Sequence, residues 1–223
     1  MEKYGVVPPK FTKGWWAYFW DYYKVHTIVT VCSVALIGTT IVQCVNQPKY
    51  DLNMMYVNPS IIDEEMQNTF SVNISESIDE ITDDNEKLAF VQSLPISSVE
   101  ASDEQTYAMI TKLSLELQTG ETFLFVVNEE FANALSNSEG YEGCFMNIED
   151  MGIDFNEQDV FIADNGNSYA IKLPENNLLN KSGINTQDLY IMIKKLYERE
   201  QKDDDMMKMY QNSIKTVEAI INS

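Results

Sequence analysis

The sequence predicts an α/β fold: one N-terminal transmembrane helix, then a single three-layer α/β domain with a mixed, mainly parallel sheet and a C-terminal helix. Three observations predict it. From Val25 to Val45 twenty-one residues pass without an acidic side chain or a fixed positive charge. That is ~30 Å of helix at ~1.5 Å per residue, the thickness of a bilayer's hydrocarbon core. Beyond it, short apolar runs such as DLNMMYV and TFLFVV alternate with stretches of helical period, the pattern of βαβ units. An Asn-Gly pair between two alternating segments then marks a hairpin, and with it an antiparallel addition to the sheet.

Residues 1–24 form a leader rich in lysine and aromatic rings. Trp15, Trp16, Tyr18, Phe19, Trp20, Tyr22 and Tyr23 fall within nine positions. Rings with an apolar body and a polar tip settle at headgroup level, so they read as an interfacial belt. Helical spacing puts Trp16, Phe19, Trp20 and Tyr23 on one stripe beside Trp15, able to lie in the membrane plane before the chain turns inward. Lys3, Lys10, Lys13 and Lys24 precede the apolar span, and Lys49 alone follows it before Lys87. Positive charge resists translocation, which keeps the N-terminus in the cytoplasm and sends the domain outward. A cleaved secretory signal would need a shorter apolar run and small residues before the cut. Gln43 before Cys44 does not suit lipid attachment either, so residues 25–45 read as a retained anchor. His26, the single histidine, reads as an interfacial residue.

Residues 50–223 suit one domain with a real core. NQPKY is too short for a flexible stalk, which places that domain close to the bilayer. Asp51 to Val57 reads as a strand covered on both sides. Ser60 with Asp63 resembles an acidic helix start, and Ile62, Met66, Phe70 and Ile74 recur every four residues, predicting a helix over 61–75, with an extension toward Ile81 open. TDDNEK is a turn, and Leu88 to Leu94 is a second strand. Ser102 with Gln105 makes a capping box before a helix to Thr119, its inward side Met109, Ile110, Leu113 and Leu117, stopped by Gly120. Thr122 to Val127, the most apolar short run, should be the central strand. Asn128 begins a short helix through Ser136 with Phe131 and Leu135 inward, and Gly140 to Gly152 is irregular.

Asp159–Ala163 and Ser168–Leu173 then flank Asp164-Asn165-Gly166-Asn167 as a hairpin. Asp188 to Leu196 fits strand or helix. The last helix, Asp204 to Ile221, carries the stripe Met207, Tyr210, Ile214, Val217 and Ile221 and should pack on the sheet, a free tail that docks a partner being the alternative.

Composition bounds the chemistry. Residues 1–49 carry five lysines against Glu2 and Asp21, a net +3; residues 50–223 carry ten basic against 33 acidic side chains, a net −23. Such a field repels phosphate backbones, so nucleic acid is not a partner, while cations, basic peptides and neutral ligands remain admissible. With no histidine beyond His26 and Cys144 the domain's lone cysteine, Ser-His and Cys-His arrangements, histidine-rich zinc sites and disulfides within the domain are excluded. Cys144 reads as a buried thiol. No phosphate-cradling glycine loop occurs. Asp83, Asp84 and Glu86, and Asp203 to Asp205, lack calcium-loop spacing and read as a solvated turn and an acidic helix start. Asn73-Ile74-Ser75 and Asn180-Lys181-Ser182 match the glycosylation pattern by chance. No catalytic residue, metal ligand or cofactor is assigned, and paired carboxylates for glycoside hydrolysis have no signature.

The leader FTKGWWAYFWDYYKVH, the apolar span, the strand DLNMMYV just beyond it, and TGETFLFVVNEEF followed by GYEGCF together resemble a group of uncharacterised single-pass membrane proteins of Gram-positive anaerobes. The resemblance implies an extracytoplasmic domain similar to a reduced lobe of a solute-binding protein, with TGETFLFVVNEEF near the ligand cleft. Members of that group carry an Asp-Asn-Gly-Asp type segment where this chain has TDDNEKL, without the glycine. No functional residue carries over.

The expectation is therefore a membrane-anchored, extracytoplasmic binding or interaction module without catalytic activity, at the cell membrane. Its partners would be the lipid bilayer and a protein in a membrane complex; a small-molecule ligand is unknown. A sheet of this kind presents a cleft at the carboxyl ends of its parallel strands, which points to Asn58, Asn128, Glu129 and Glu130 as a ligand rim. The alternative is a structural accessory subunit of a transport, export or envelope complex, using Ser33, Gly38, Thr39 and Thr40 for helix packing.

Overall fold

The computed structural model describes residues 8–45, 49–81, 86–96, 98–100, 103–137, 141, 143–175 and 177–223. Two compact units divide the chain at residues 48 and 49. The first is a helix, α1 (Lys13–Val45), opened by Thr12, whose Oγ1 accepts from the Trp15 N–H at 3.3 Å. No proline or glycine interrupts residues 15–37, so the aromatic belt and the apolar span are one unbroken rod. The expected turn between them is absent for that reason. Rings stack down one side at i, i+4 spacing, Trp15 on Phe19 at 5.6 Å and Phe19 on Tyr23 at 5.5 Å. Hydroxyls within the span bond back to the helix: Thr30 donates to the His26 carbonyl, and Thr39 and Thr40 to that of Leu36. That satisfies them without water. The stretch 13–43 is long and apolar enough to cross a membrane and none of it is buried, a description that a signal sequence also meets.

The second unit is a three-layer sandwich around a mixed six-stranded sheet. Its strands are β1 (Leu52–Val57), β2 (Ala89–Leu94), β3 (Leu124–Asn128), β4 (Val160–Phe161), β5 (Ala170–Lys172) and β6 (Leu189–Ile193), in the order β2-β1-β3-β6-β5-β4. β1 pairs in parallel with β2 and β3. The other three pairings, β3 with β6, β5 with β6 and β4 with β5, are antiparallel. The sheet is therefore not mainly parallel. Its second half is built by a hairpin and a returning strand, and only the first half by helical crossovers.

Helices cover both faces. One face, with Leu52, Met54, Tyr56, Leu124, Val126, Ile191 and Ile193, packs on α2 (Glu64–Ile74), α5 (Leu178–Lys181) and α6 (Asp204–Ile221). The opposite face, with Met55, Val57, Phe125, Val127 and Met192, packs on α3 (Glu104–Thr119) and α4 (Glu129–Asn137). β3 and β6 lie at the centre, and β6 is buried throughout, which resolves the ambiguity of DLYIMIKKL in favour of a strand.

An Asp or Asn side chain caps each helix of the sandwich. The carboxylates of Asp63, Asp103 and Asp203 accept from the N–H groups of Met66, Thr106 and Asp205. Asn128 and Asn177 do the same for Phe131 and Leu179. α2 thus starts from Asp63, three residues after Ser60, stops at Ile74 and does not reach Ile81, and α3 starts from Asp103. Ser102 lies outside the described residues. Carboxylates outcompete hydroxyls here because they also answer the positive end of the helix dipole. Gly120 ends α3 in an extended conformation (φ −80°), not a left-handed one. A Cβ there would collide with the Glu116 carboxylate, which accepts from the Thr122 N–H. The turn between β4 and β5 does use left-handed backbone, at Gly166 (φ +82°), whose N–H donates to the Ala163 carbonyl.

The buried face of α6 differs from the predicted stripe. Val217 is buried as expected, but its companions are Met209, Asn212, Ser213, Thr216 and Ile220, while Met207, Tyr210, Ile214 and Ile221 are only partly covered. The polar members carry their own partners. Ser213 and Thr216 donate to the carbonyls of Met209 and Asn212. Asn212 accepts from the Asp79 N–H and donates to the carbonyls of Asp79 and Asp51. The buried Asp51 carboxylate in turn accepts from the N–H groups of Ile81 at 2.6 Å and Leu88 at 2.8 Å. One polar knot therefore ties α6, the start of β1 and the segment after α2 together.

Candidate functional site

The ends of β1 and β3 lie side by side, since Val57 pairs with Val127. Asn58 follows β1 and Asn128 is the last residue of β3, but both side chains serve the backbone: Asn58 accepts from the Ser60 N–H, and Asn128 caps α4. Glu129 and Glu130 project outward from the first turn of α4. There they meet the β4–β5 hairpin and line a hollow of about 430 Å³ with Asn133, Phe161, Ile162 and Asp164. Of the four predicted rim residues, the structure brings Glu129 and Glu130 together and leaves Asn58 and Asn128 out.

An asparagine ladder holds the two walls of this hollow together. Asn133 donates to the Asp164 carboxylate at 3.1 Å, and the Asn165 N–H donates to Asn137 at 2.9 Å. Asn165 also donates to the Ser136 carbonyl, and Asn137 to Asn133. Two apolar side chains complete the lining: Ile162, which is 69 % exposed, and Phe161, whose ring meets the Tyr190 ring edge-on at 5.1 Å. Glu130 is engaged by the Ser98 hydroxyl at 2.7 Å and the Val99 N–H at 3.0 Å. Glu129 makes no hydrogen bond or ion pair among the described residues. Burial raises the Tyr190 phenol above its ordinary pKa, and the Glu129 carboxylate adds to the shift. Lys172, also nearby, is paired to Asp188 at 3.2 Å. Three carboxylates, those of Glu129, Glu130 and Asp164, give the hollow a negative charge.

Asn133, Phe161, Ile162 and Asp164 were not predicted. The Asp-Asn-Gly-Asn turn signals a hairpin, yet nothing in its spacing says that α4 is its neighbour. The ladder's asparagines, four residues apart on α4, were the available cue.

A second concentration of ionisable groups lies where β6 leads into α6. Lys194, fully buried, donates to the Gly120 carbonyl at 2.6 Å and faces Glu200 at 3.5 Å and the Phe123 ring at 4.8 Å. Burial lowers its pKa, and Glu200 opposes that shift. The Tyr197 hydroxyl donates to the Cys144 sulfur at 3.3 Å. Burial first, then that bond, pushes the phenol up to about 12. Cys144 is half-buried instead of fully buried. Arg199 donates to the Gln118 carbonyl. The Lys194 and Arg199 bonds clamp the end of α3 to the segment between β6 and α6, and the Tyr197 bond ties that segment to Cys144.

Among the described residues no group of three histidine, cysteine, aspartate or glutamate side chains is placed to hold a metal ion. Asp83 and Asp84 lie outside the described residues, and Asp203 caps α6 as an acidic helix start. Both glycosylation-pattern asparagines are engaged, Asn73 with the Ser182 hydroxyl and Asn180 with the Ile184 carbonyl. Neither the family-model comparison, nor the search of curated proteins, nor that of solved structures gives a match to this chain.

Proposed function

We propose that this chain is a single-pass membrane protein, its N-terminus in the cytoplasm, whose acidic α/β domain binds a ligand or partner outside the cell without transforming it. The observation that carries the reading is the arrangement of charge around α1. Lys10, Lys13 and Lys24 precede an unburied apolar stretch with a mean hydropathy of 2.0, and a domain of net charge −23 follows it. Moving Lys or Arg through the bilayer centre costs about 2.5 to 3.5 kcal/mol per residue, so the lysine-bearing end stays behind. Binding in preference to catalysis is supported by how the domain's buried ionisable groups are used. Asp51, Lys194 and Glu200 are all engaged in holding elements together. The likeness to a reduced solute-binding lobe belongs to the same reading and points to the ends of β1 and β3.

The test is fractionation of the full chain with and without Ile37→Asp. The native chain should stay with membranes through an alkaline wash and leave them only in detergent, and the variant should lose that retention. A native chain found soluble would end the reading.

One feature of α1 favours a second role, as an accessory subunit of a membrane complex. Ser33, Gly38, Thr39 and Thr40 are exposed on a helix whose surface this chain does not itself cover. A stable heteromeric complex after purification in mild detergent is the result that role requires.

A further inference from the structure

We propose that the side of α1 bearing Lys24 and Trp20, continued by Trp16 and Lys13, is a docking surface for anionic lipid headgroups, those whose phosphate is not offset by an ammonium. The inference rests on the membrane anchoring proposed above and adds which lipids the anchored end selects.

The helix brings these four residues onto one side. They follow at i, i+3, i+7 and i+11, and at about 3.6 residues per turn Lys13 and Lys24, three turns apart, lie within about 20° of each other. Both lysines are exposed, as is Lys10 just before the helix, and none of the three makes a hydrogen bond or ion pair among the described residues. Trp16 and Trp20 stand 55 % and 54 % exposed, while Trp15 and Phe19 stack on each other. Asp21, three residues before Lys24 and so its neighbour on the helix surface, offsets part of the positive charge.

Chemistry and continuity select the partner. An unpaired ammonium gains most from a phosphate that carries a net charge, and an indole keeps its apolar body inward and its N–H among headgroup oxygens. A free phosphate or a nucleic acid would satisfy the lysines and leave the exposed Trp20 indole in water. Lys24 directly precedes Val25, the first residue of the apolar span, so its ammonium lies at phosphate level once the span is in the bilayer.

The unbroken rod also ranks the contributions. Headgroups add about 5 to 7 Å on each side of the hydrocarbon core. For a helix along the membrane normal, Trp20 stands ~7 Å and Lys13 ~18 Å from Val25, at ~1.5 Å per residue. Lys24 and Trp20 therefore meet headgroups directly. Lys13 acts from about 10 Å farther out, a distance over which ordinary salt screens most of its attraction.

The chain's three tryptophans, Trp15, Trp16 and Trp20, all lie in this segment, so tryptophan fluorescence reports on it alone. The test reconstitutes the full chain in phosphatidylcholine vesicles containing phosphatidylglycerol, with a pyrene acyl chain carried first by one lipid and then by the other. Energy transfer from tryptophan to pyrene gives the relative affinity of the two lipids for this end. Phosphatidylglycerol should be favoured, and salt at about 1 M should remove the preference, since charges there are screened within about 3 Å. Lys24→Gln should cut the preference about fivefold, the effect of one lysine near an anionic surface. Lys13→Gln should cut it by less than about twofold. Asp21→Asn should raise it, a gain that a damaged helix would not show. Equal transfer to the two lipids overturns the proposal, and so does a preference that survives Lys24→Gln unchanged. A chain that floats with the vesicles yet shows no preference loses this inference alone, whereas one that does not float with them fails the anchoring on which it rests.

Discussion

The first and last helices of the chain show two different ways in which sequence meets environment. α1 is apolar around its whole circumference over residues 25–43, and none of that stretch is buried within this chain. α6 has an apolar stripe of the ordinary amphipathic kind, yet the face it buries includes Asn212, Ser213 and Thr216. In α1 the hydroxyls of Thr30, Thr39 and Thr40 bond back to their own helix, because the proposed lipid surroundings offer no other partner. In α6 Ser213 and Thr216 do the same, but Asn212 reaches out and joins three elements. Polarity alone therefore does not decide burial. What decides it is whether each polar group finds a partner on arrival.

The largest effect that would break this account is expected beside α6, at Lys194. Replacing it with methionine leaves the buried Glu200 with only the longer pairing to the exposed Arg199, at 3.7 Å, and should lower the unfolding free energy by about 3 kcal/mol. Pairing that change with Glu200→Leu should recover most of the loss. If the single and double variants prove equally stable in denaturant titrations, the pair does not hold the loop. Asn212→Ala comes next. It deprives Asp79 and Asp51 of buried partners and should cost about 3 kcal/mol. Thr216→Val sharpens the contrast, because its hydroxyl is satisfied within its own helix; the expected change is under about 1 kcal/mol.

Tyr197 sets the behaviour in base. With its folded pKa raised to about 12, the folded chain keeps a proton that an unfolded phenol, near pKa ~10, has already lost. Stability should then be steady below about pH 10 and fall as the pH climbs from about 10 to about 12, and Tyr197→Phe should flatten that decline. The smallest effect is expected at Asp79, whose carboxyl is held below its ordinary pKa by hydrogen bonding and charge from Lys215. Its contribution is present above the ordinary carboxylate range and fades as acid approaches the lowered value. Both partners are exposed, so salt should screen most of it.

Much of the fold was legible because its signals are local. The length and purity of 25–45, the covered run DLNMMYV, the central TFLFVV and the Asn-Gly hairpin each report on their own backbone, and each element forms where the pattern puts it. The misreadings involve partners distant in sequence. The buried face of α6 depends on Asp51 and Asp79, more than 130 residues earlier. The direction of β6 depends on the tertiary route after α4, which DLYIMI does not encode. The same holds for the site. Glu129 and Glu130 were legible from their place after a central strand, whereas Phe161, Ile162 and Asp164 reach the hollow only because the asparagine ladder docks a hairpin on α4.

The proposal that α1 holds the acidic domain outside the cell is tested most directly by protease treatment of intact, wall-stripped cells that carry the full chain with a C-terminal epitope. The epitope should vanish while the lysine-rich N-terminus remains with the membrane, and detergent lysis should then expose that end too. An epitope that survives until the membrane is dissolved, or that is recovered in the soluble fraction, would contradict the account.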